Sequence, residues 1–139
     1  MSAAISLSQQ GFPVHLIERE NELGGNLRHV LTAPPNRGSE HPRNPGNIYR
    51  DLVEQVTSSP DITIHLQSEI IKTRGFVGNF ISTLQSADGK TEEIQHGVTI
   101  LAIGGREYGG ADYGYGSDPR ILSQQAFETK LTTSEPQQW

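Results

Sequence analysis

The sequence predicts an α/β domain with a small β insertion, and three observations predict it. Short apolar runs recur at 14–17, 62–66 and 98–103, each closed by polar or glycine residues as buried parallel strands are. Two other segments, 1–10 and 48–58, space their apolar residues for helices instead. Between residues 70 and 96, three further runs are separated by turn signals. The order helix, strand, helix, strand, meander, strand is that of layered α/β proteins carrying an antiparallel excursion.

The elements follow in order. Ala3, Ala4 and Leu7 share a helical face with Ile5 beside them, and Gly11 offers a stop. Pro13 suits the start of a strand, so Val14 to Ile17 is read as short and mostly apolar. Residues 28–46 carry "TAPPNRGSEHPRNPG", too rich in Pro, Gly and polar residues for regular structure, and are expected to form a mobile loop. Asn47 is the expected cap of a helix whose face carries Ile48, Leu52, Val53 and Val56 and which Pro60 closes. "IIKTRG", "GNFISTLQ" and "TEEIQH" form the meander at about 70–96, with Asp88-Gly89 as its clearest hairpin. "VTILAIGG" is expected to return as a buried strand to the main sheet. After the Gly/Tyr-rich loop "REYGGADYGYGSDP", Asp118 and Pro119 are expected to open a last helix reaching about Leu131.

Length and charge narrow the function. A chain of 139 residues has the usual size of one domain, read as 1–139. A formal charge of −5, from 11 basic and 16 acidic residues, supplies no field for nucleic acid or anionic lipid. The absence of cysteine removes disulfides, thiol catalysis and thiolate-bound clusters from the chain, so redox chemistry would belong to a bound cofactor. No targeting segment or run of about 18 apolar residues occurs, which reads as a cytoplasmic protein without membrane insertion.

"VHLIERENELGGNLR" is the informative stretch. In a dinucleotide-binding βαβ unit, a glycine-rich turn admits the pyrophosphate to a helix N-terminus, and about 20 residues later an acidic side chain ending the second strand accepts the adenosine ribose hydroxyls. Glu18 ends such a strand after such a helix, and Gly24 and Gly25 let backbone pass close to the rest of the cofactor. Counting back, the last glycine of the fingerprint falls just before Met1. On these residues alone, Glu18 as a solvated strand end and the glycines as a plain turn remain an equal alternative, and NAD shares the adenosine end with FAD.

"AAISLSQQGFPVHLIERENELGGNL", "NIYRDLVEQV", "ITIHLQSEI", "GFVGNFISTL" and "VTILAIGGREY" together resemble the FAD-binding part of the A-type subunit of heterodisulfide reductase and its relatives among two-dinucleotide-binding-domain flavoproteins. The resemblance covers most of the chain in order. It implies a partial Rossmann-like FAD-binding domain, with Glu18 on the adenosine ribose and Gly24, Gly25 and Asn26 bordering the pyrophosphate and ribityl chain. It also implies that Ile70 lies where backbone meets the adenine, and that Ala102, Ile103, Gly104 and Gly105 form the turn beside the flavin.

Two departures matter. Ile103 replaces the threonine usual in that turn, and the first strand with its phosphate-binding glycines has no counterpart. The expectation is therefore a fragment of an FAD-dependent oxidoreductase, passing electrons to iron–sulfur partners outside this chain, that binds FAD weakly or not at all by itself and has no assignable catalytic residue. Unpaired strand edges open a rival reading, a non-catalytic interaction or self-associating module.

Other chemistry has less support. The five histidines, with His15 and His65 in separate strands, fit no metal-ligand spacing. No serine occupies a nucleophile elbow. Glu92 and Glu93 read as a solvated strand edge, and Tyr108 as a cover for the core, with a place near the cofactor as the alternative.

Overall fold

A computed structural model describes residues 1–31 and 44–133. The fold is mixed α/β and divides into two compact units, one formed by Met1–Gly25 with Tyr49–Ala102, the other by the described residues of 26–48 and 103–139.

The first unit is built on helix α1 (Ser2–Ser8), strand β1 (Val14–Ile17), most of helix α2 (Pro45–Ser58) and strand β2 (Ile62–His65). β1 and β2 pair in parallel, with Val14 opposite Ile62 and Ile17 opposite His65. Ala4, Ile5, Leu23, Val56 and Ile62 form the core, and Val14, Leu16, Leu52, Val53 and Ile64 pack against it. The alternation of side chains along a strand therefore assigns His15, Ile17, Thr63 and His65 to the opposite face.

Helix α1 ends as the sequence predicts. Gly11 has φ +81, and the Gly11 and Phe12 amides close back onto Ser8 and Leu7 carbonyls. Helix α2 begins earlier than expected, and its cap is Asn44 instead of Asn47. The Asn44 side-chain oxygen accepts the Gly46 amide at 2.9 Å, and Pro45 takes the first helical position, where its missing N–H costs nothing. The predicted loop at 28–46 falls largely on 32–43, outside the described residues.

The meander is present as β3 (Ser68–Phe76), β4 (Asn79–Ser86) and β5 (Thr91–His96), in the order β3-β4-β5. Leu84 and Ile94 are its buried apolar side chains, and Ser82, fully buried, is held by Thr73 Oγ1 and His96 Nε2 at 2.8 Å each. Arg74 grips Glu93 with two bonds of 2.7 and 3.0 Å, so Glu93 is a cross-sheet partner, not merely a solvated edge. Gly75 has φ +104, and a Cβ there would stand 2.1 Å from the Asn79 carbonyl oxygen.

The expected return strand does not form. Residues 98–105 pair with no strand, and Val98, Leu101 and Ile103 are 71%, 80% and 90% exposed. Apolar content favours burial, but a strand is defined by the ladder that satisfies its amides, and among the described residues, 98–105 join neither the β1-β2 pair nor the meander.

The second unit contains most of a 3-10 turn at Gly25–His29, another at Asp112–Gly114 and the described part of helix α3 (Gln124–Thr133). The last helix starts later than Asp118. Asp118 is engaged by the Arg120 backbone amide at 2.9 Å and guanidinium at 2.6 Å, which closes a local turn, and Ser123 Oγ accepts the Ala126 amide as the helix cap. Tyr108 does not cover a core: it is 64% exposed, and its hydroxyl donates to Asp112.

Two substitutions test this packing. Leu84→Ala should lower unfolding free energy by about 2–4 kcal/mol through the cavity it leaves. Gly75→Ala should cost at least about 2 kcal/mol through the clash and the disfavoured φ. Urea denaturation of each variant measures both.

Candidate functional site

Glu18 is held by a tight backbone junction at the end of β1. Its amide donates to the His65 carbonyl at 2.9 Å, and its own carbonyl accepts the Ser68 amide at 3.0 Å, so β1, β2 and β3 meet on this residue. The Gln67 amide donates to the Glu20 carbonyl at 3.0 Å and fixes the loop beyond. Glu18 Oε1 accepts the Glu20 amide at 3.1 Å, which orients the carboxylate from within its own turn. The side chain is half-buried, a setting in which a carboxylate can receive two neighbouring hydroxyls.

Five residues on, Leu23 is buried in the core and anchors the turn that follows. Gly24 and Gly25 have φ +112 and +49, conformations that side chains resist. A Cβ at Gly25 would meet no protein atom within 4 Å, so this glycine serves backbone shape and leaves open space beside it. An oriented acceptor carboxylate and a positive-φ turn with open space beside it thus stand within eight residues of one another.

Other predicted positions are placed differently. Ile70 lies within the meander: it is the third residue of β3, paired with Leu84, beside a register shift between Ile70 and Lys72 of the kind that bends a strand. Its side chain is exposed, leaving backbone at a bulge as the contact it can offer. Asn26 and Gly105, 79 residues apart in sequence, are in contact in the second unit. Asn26 Nδ2 donates to the Gly105 carbonyl at 3.2 Å, and Asn26 Oδ1 accepts from Gln125 Nε2 at 2.9 Å. Gly104 has φ +65, and neither Gly104 nor Gly105 has a protein atom within 4 Å of where a Cβ would sit. Ala102 and Ile103 lie in the same exposed, unpaired segment.

The structure also joins residues that the sequence left apart. His15 and His65 stand diagonally across the β1–β2 pair, with Nδ1 of His15 2.9 Å from Nε2 of His65. Glu92 of β5 reaches His65 Nδ1 at 2.7 Å and so links the meander to the parallel pair. Parallel pairing in the observed register was the signal that could have united the histidines.

Burial, then the neighbouring His65 ring, hold His15 below the ordinary imidazole range; His96 acts in the same direction, and Glu92 opposes them. A histidine depressed in this way is favoured neutral in the folded chain. Its stabilising contribution is complete above the unfolded value near ~6.5 and is lost as pH falls through the folded value. Urea midpoints should therefore drop between about pH 7.5 and 5.5, a window above most carboxylate titration, and drop less in His15→Gln.

The fold class this geometry defines is shared with a solved structure: L-proline dehydrogenase from P. horikoshii superposes with a TM-score of 0.57 at 22% identity, covering 79% of this chain and 22% of that one. In sequence the chain is similar to proteins named as the A-type subunit of heterodisulfide reductase. It is 28% identical over 93 residues to an iron-sulfur A-type subunit of the CoB–CoM heterodisulfide reductase of Methanopyrus kandleri, covering 67% of this chain and 13% of that protein. It is 33% identical over 79 residues to a protein of Archaeoglobus profundus named as similar to the same heterodisulfide reductase component, covering 56% and 10%. The chain thus spans about a tenth of the length of the curated relatives it matches. No protein-family model matches it. Among the described residues, no helix is long and apolar enough to cross a membrane.

Proposed function

We propose that this chain supplies the adenosine-binding part of an FAD site in an oxidoreductase similar to the A-type subunit of heterodisulfide reductase. The observation that carries the reading is Glu18, half-buried and locked where β1, β2 and β3 meet, next to the positive-φ Gly24-Gly25 turn. The resemblance of the sequence to the FAD-binding part of that subunit supports the choice of FAD over NAD.

In this reading the Glu18 carboxylate accepts the two ribose hydroxyls, and the Gly24-Gly25 backbone borders the phosphates. Ile70 offers its bulged backbone to the adenine edge. The resemblance further assigns Asn26 and residues 102–105 to the ribityl and flavin portion; within the second unit Asn26 holds Gly105 in place, and Gly104 and Gly105 leave their backbone uncluttered by side chains. FAD itself would supply the electron transfer, to iron–sulfur partners carried elsewhere in the assembly; no residue of this chain is assigned a proton-transfer or nucleophilic role.

A second reading is favoured by one observation, the exposed apolar run at Val98, Leu101 and Ile103. There the chain is an interaction module that covers this run with protein.

Titration of the purified chain with FAD, followed by flavin fluorescence with ADP as competitor, tests the first reading. Binding should be ADP-sensitive and weaker than micromolar, because Glu18 and the glycine turn contribute only part of a complete site. Glu18→Ala should weaken ADP by about tenfold or more, the worth of a charge-assisted hydrogen-bond pair. No ADP-sensitive binding, or an undisturbed affinity in Glu18→Ala, overturns the assignment of Glu18.

A further inference from the structure

His15, His65 and Glu92 come from three strands and meet in one line of hydrogen bonds. The His15 and His65 ring centroids are 5.2 Å apart with 2.9 Å between the bonded nitrogens, so the two rings meet almost head on.

The donor inventory places the protons. An ionised Glu92 only accepts, so His65 Nδ1 carries a proton toward it. In a neutral His65, Nε2 is then the acceptor, and His15 Nδ1 is the donor. Every proton in the line points from His15 toward Glu92, and His15 Nε2 is where the next proton enters. That first added proton leaves both hydrogen bonds intact. A second must go to His65 Nε2, where it faces the N–H of His15 across 2.9 Å, and the bond becomes a contact between two cations.

The consequence reaches Glu18. His65 is the residue whose carbonyl accepts the Glu18 amide, and Ile17 opposite His65 is the last rung of the parallel pair. We propose that His15, His65 and Glu92 form a pH-sensitive latch that clamps β1 to β2 at the Glu18 end and lets go when the histidine pair takes up its second proton. The titratable groups acting on His15 are His65 from β2 and Glu92 and His96 from β5; Glu92 favours its protonated form, while the two histidines oppose it. Control of adenosine binding by this latch rests on the proposed role of Glu18, but the latch itself does not.

The test is NMR on the chain with ¹⁵N-labelled histidine and uniformly labelled backbone. Near neutral pH, a through-hydrogen-bond coupling should link His15 Nδ1 to His65 Nε2. On acidification that coupling should vanish, and the Ile17 and Glu18 amide signals should move with the same midpoint. In His15→Gln the acid-induced movement of the Glu18 amide should fall to that of strand residues remote from the pair, while His96→Gln retains the histidine coupling. Absence of the coupling in the unmodified chain, or a Glu18 amide that titrates unchanged in His15→Gln, overturns the latch. Failure of the adenosine reading is distinguishable: ADP would then leave the Glu18 amide unmoved while the histidine coupling and its acid loss persist.

Discussion

The parallel pairing of β1 with β2 is the constraint on which the first unit depends. It places Val14, Leu16, Ile62 and Ile64 against the core of Ala4, Ile5, Leu23 and Val56, and puts His15 and His65 on the other face. Burial of those aliphatic side chains stabilises the arrangement by about 25 cal/mol for each Å² of apolar surface removed from water. The pairing also ends at a defined rung, so the next residue, Glu18, projects from a junction of three strands instead of a free loop. A one-residue slip would exchange the apolar and histidine faces and dismantle core and junction together.

The meander is coupled to this pair through polar contacts. The Glu18 carbonyl receives the first amide of β3, and Glu92 of β5 reaches His65. Within the meander, Thr73, Ser82 and His96 satisfy one another around a fully buried hydroxyl, which avoids the cost of an unpaired polar group in a small core. The second unit is tied by Asn26 to Gly105 and Gln125, by Glu128 to the Leu31 amide and by Glu107 to the Gln125 amide.

Much of this was legible in the sequence because the relevant signals are local. The apolar run at Val14–Ile17, the face of α2, the Asp88-Gly89 hairpin and the Gly11 stop each depend on neighbouring residues, and each formed. What was misread depends on partners. Residues 98–105 have a strand's composition but pair with no strand among the described residues, and Asp118 looked like a helix cap until Arg120 occupied it. Asn44 outcompeted Asn47 because it precedes a proline suited to the first helical position. The His15–His65 bond and the Asn26–Gly105 contact were invisible because they arise from register and chain reversal across 50 and 79 residues. Glu18 was legible because a carboxylate at a strand end is a local feature; the backbone junction that holds it was not.

The central claim is that the end of β1 recognises an adenosine diphosphate group. Backbone amide shift mapping of the ¹⁵N-labelled chain with ADP tests it most directly. Recognition at this end predicts saturable shifts concentrated at 18–25 and around Ile70, with the β4–β5 hairpin at Asp88-Gly89 unmoved. Shifts absent from 18–25 at ADP concentrations that saturate binding elsewhere, or no shifts at all, would contradict it.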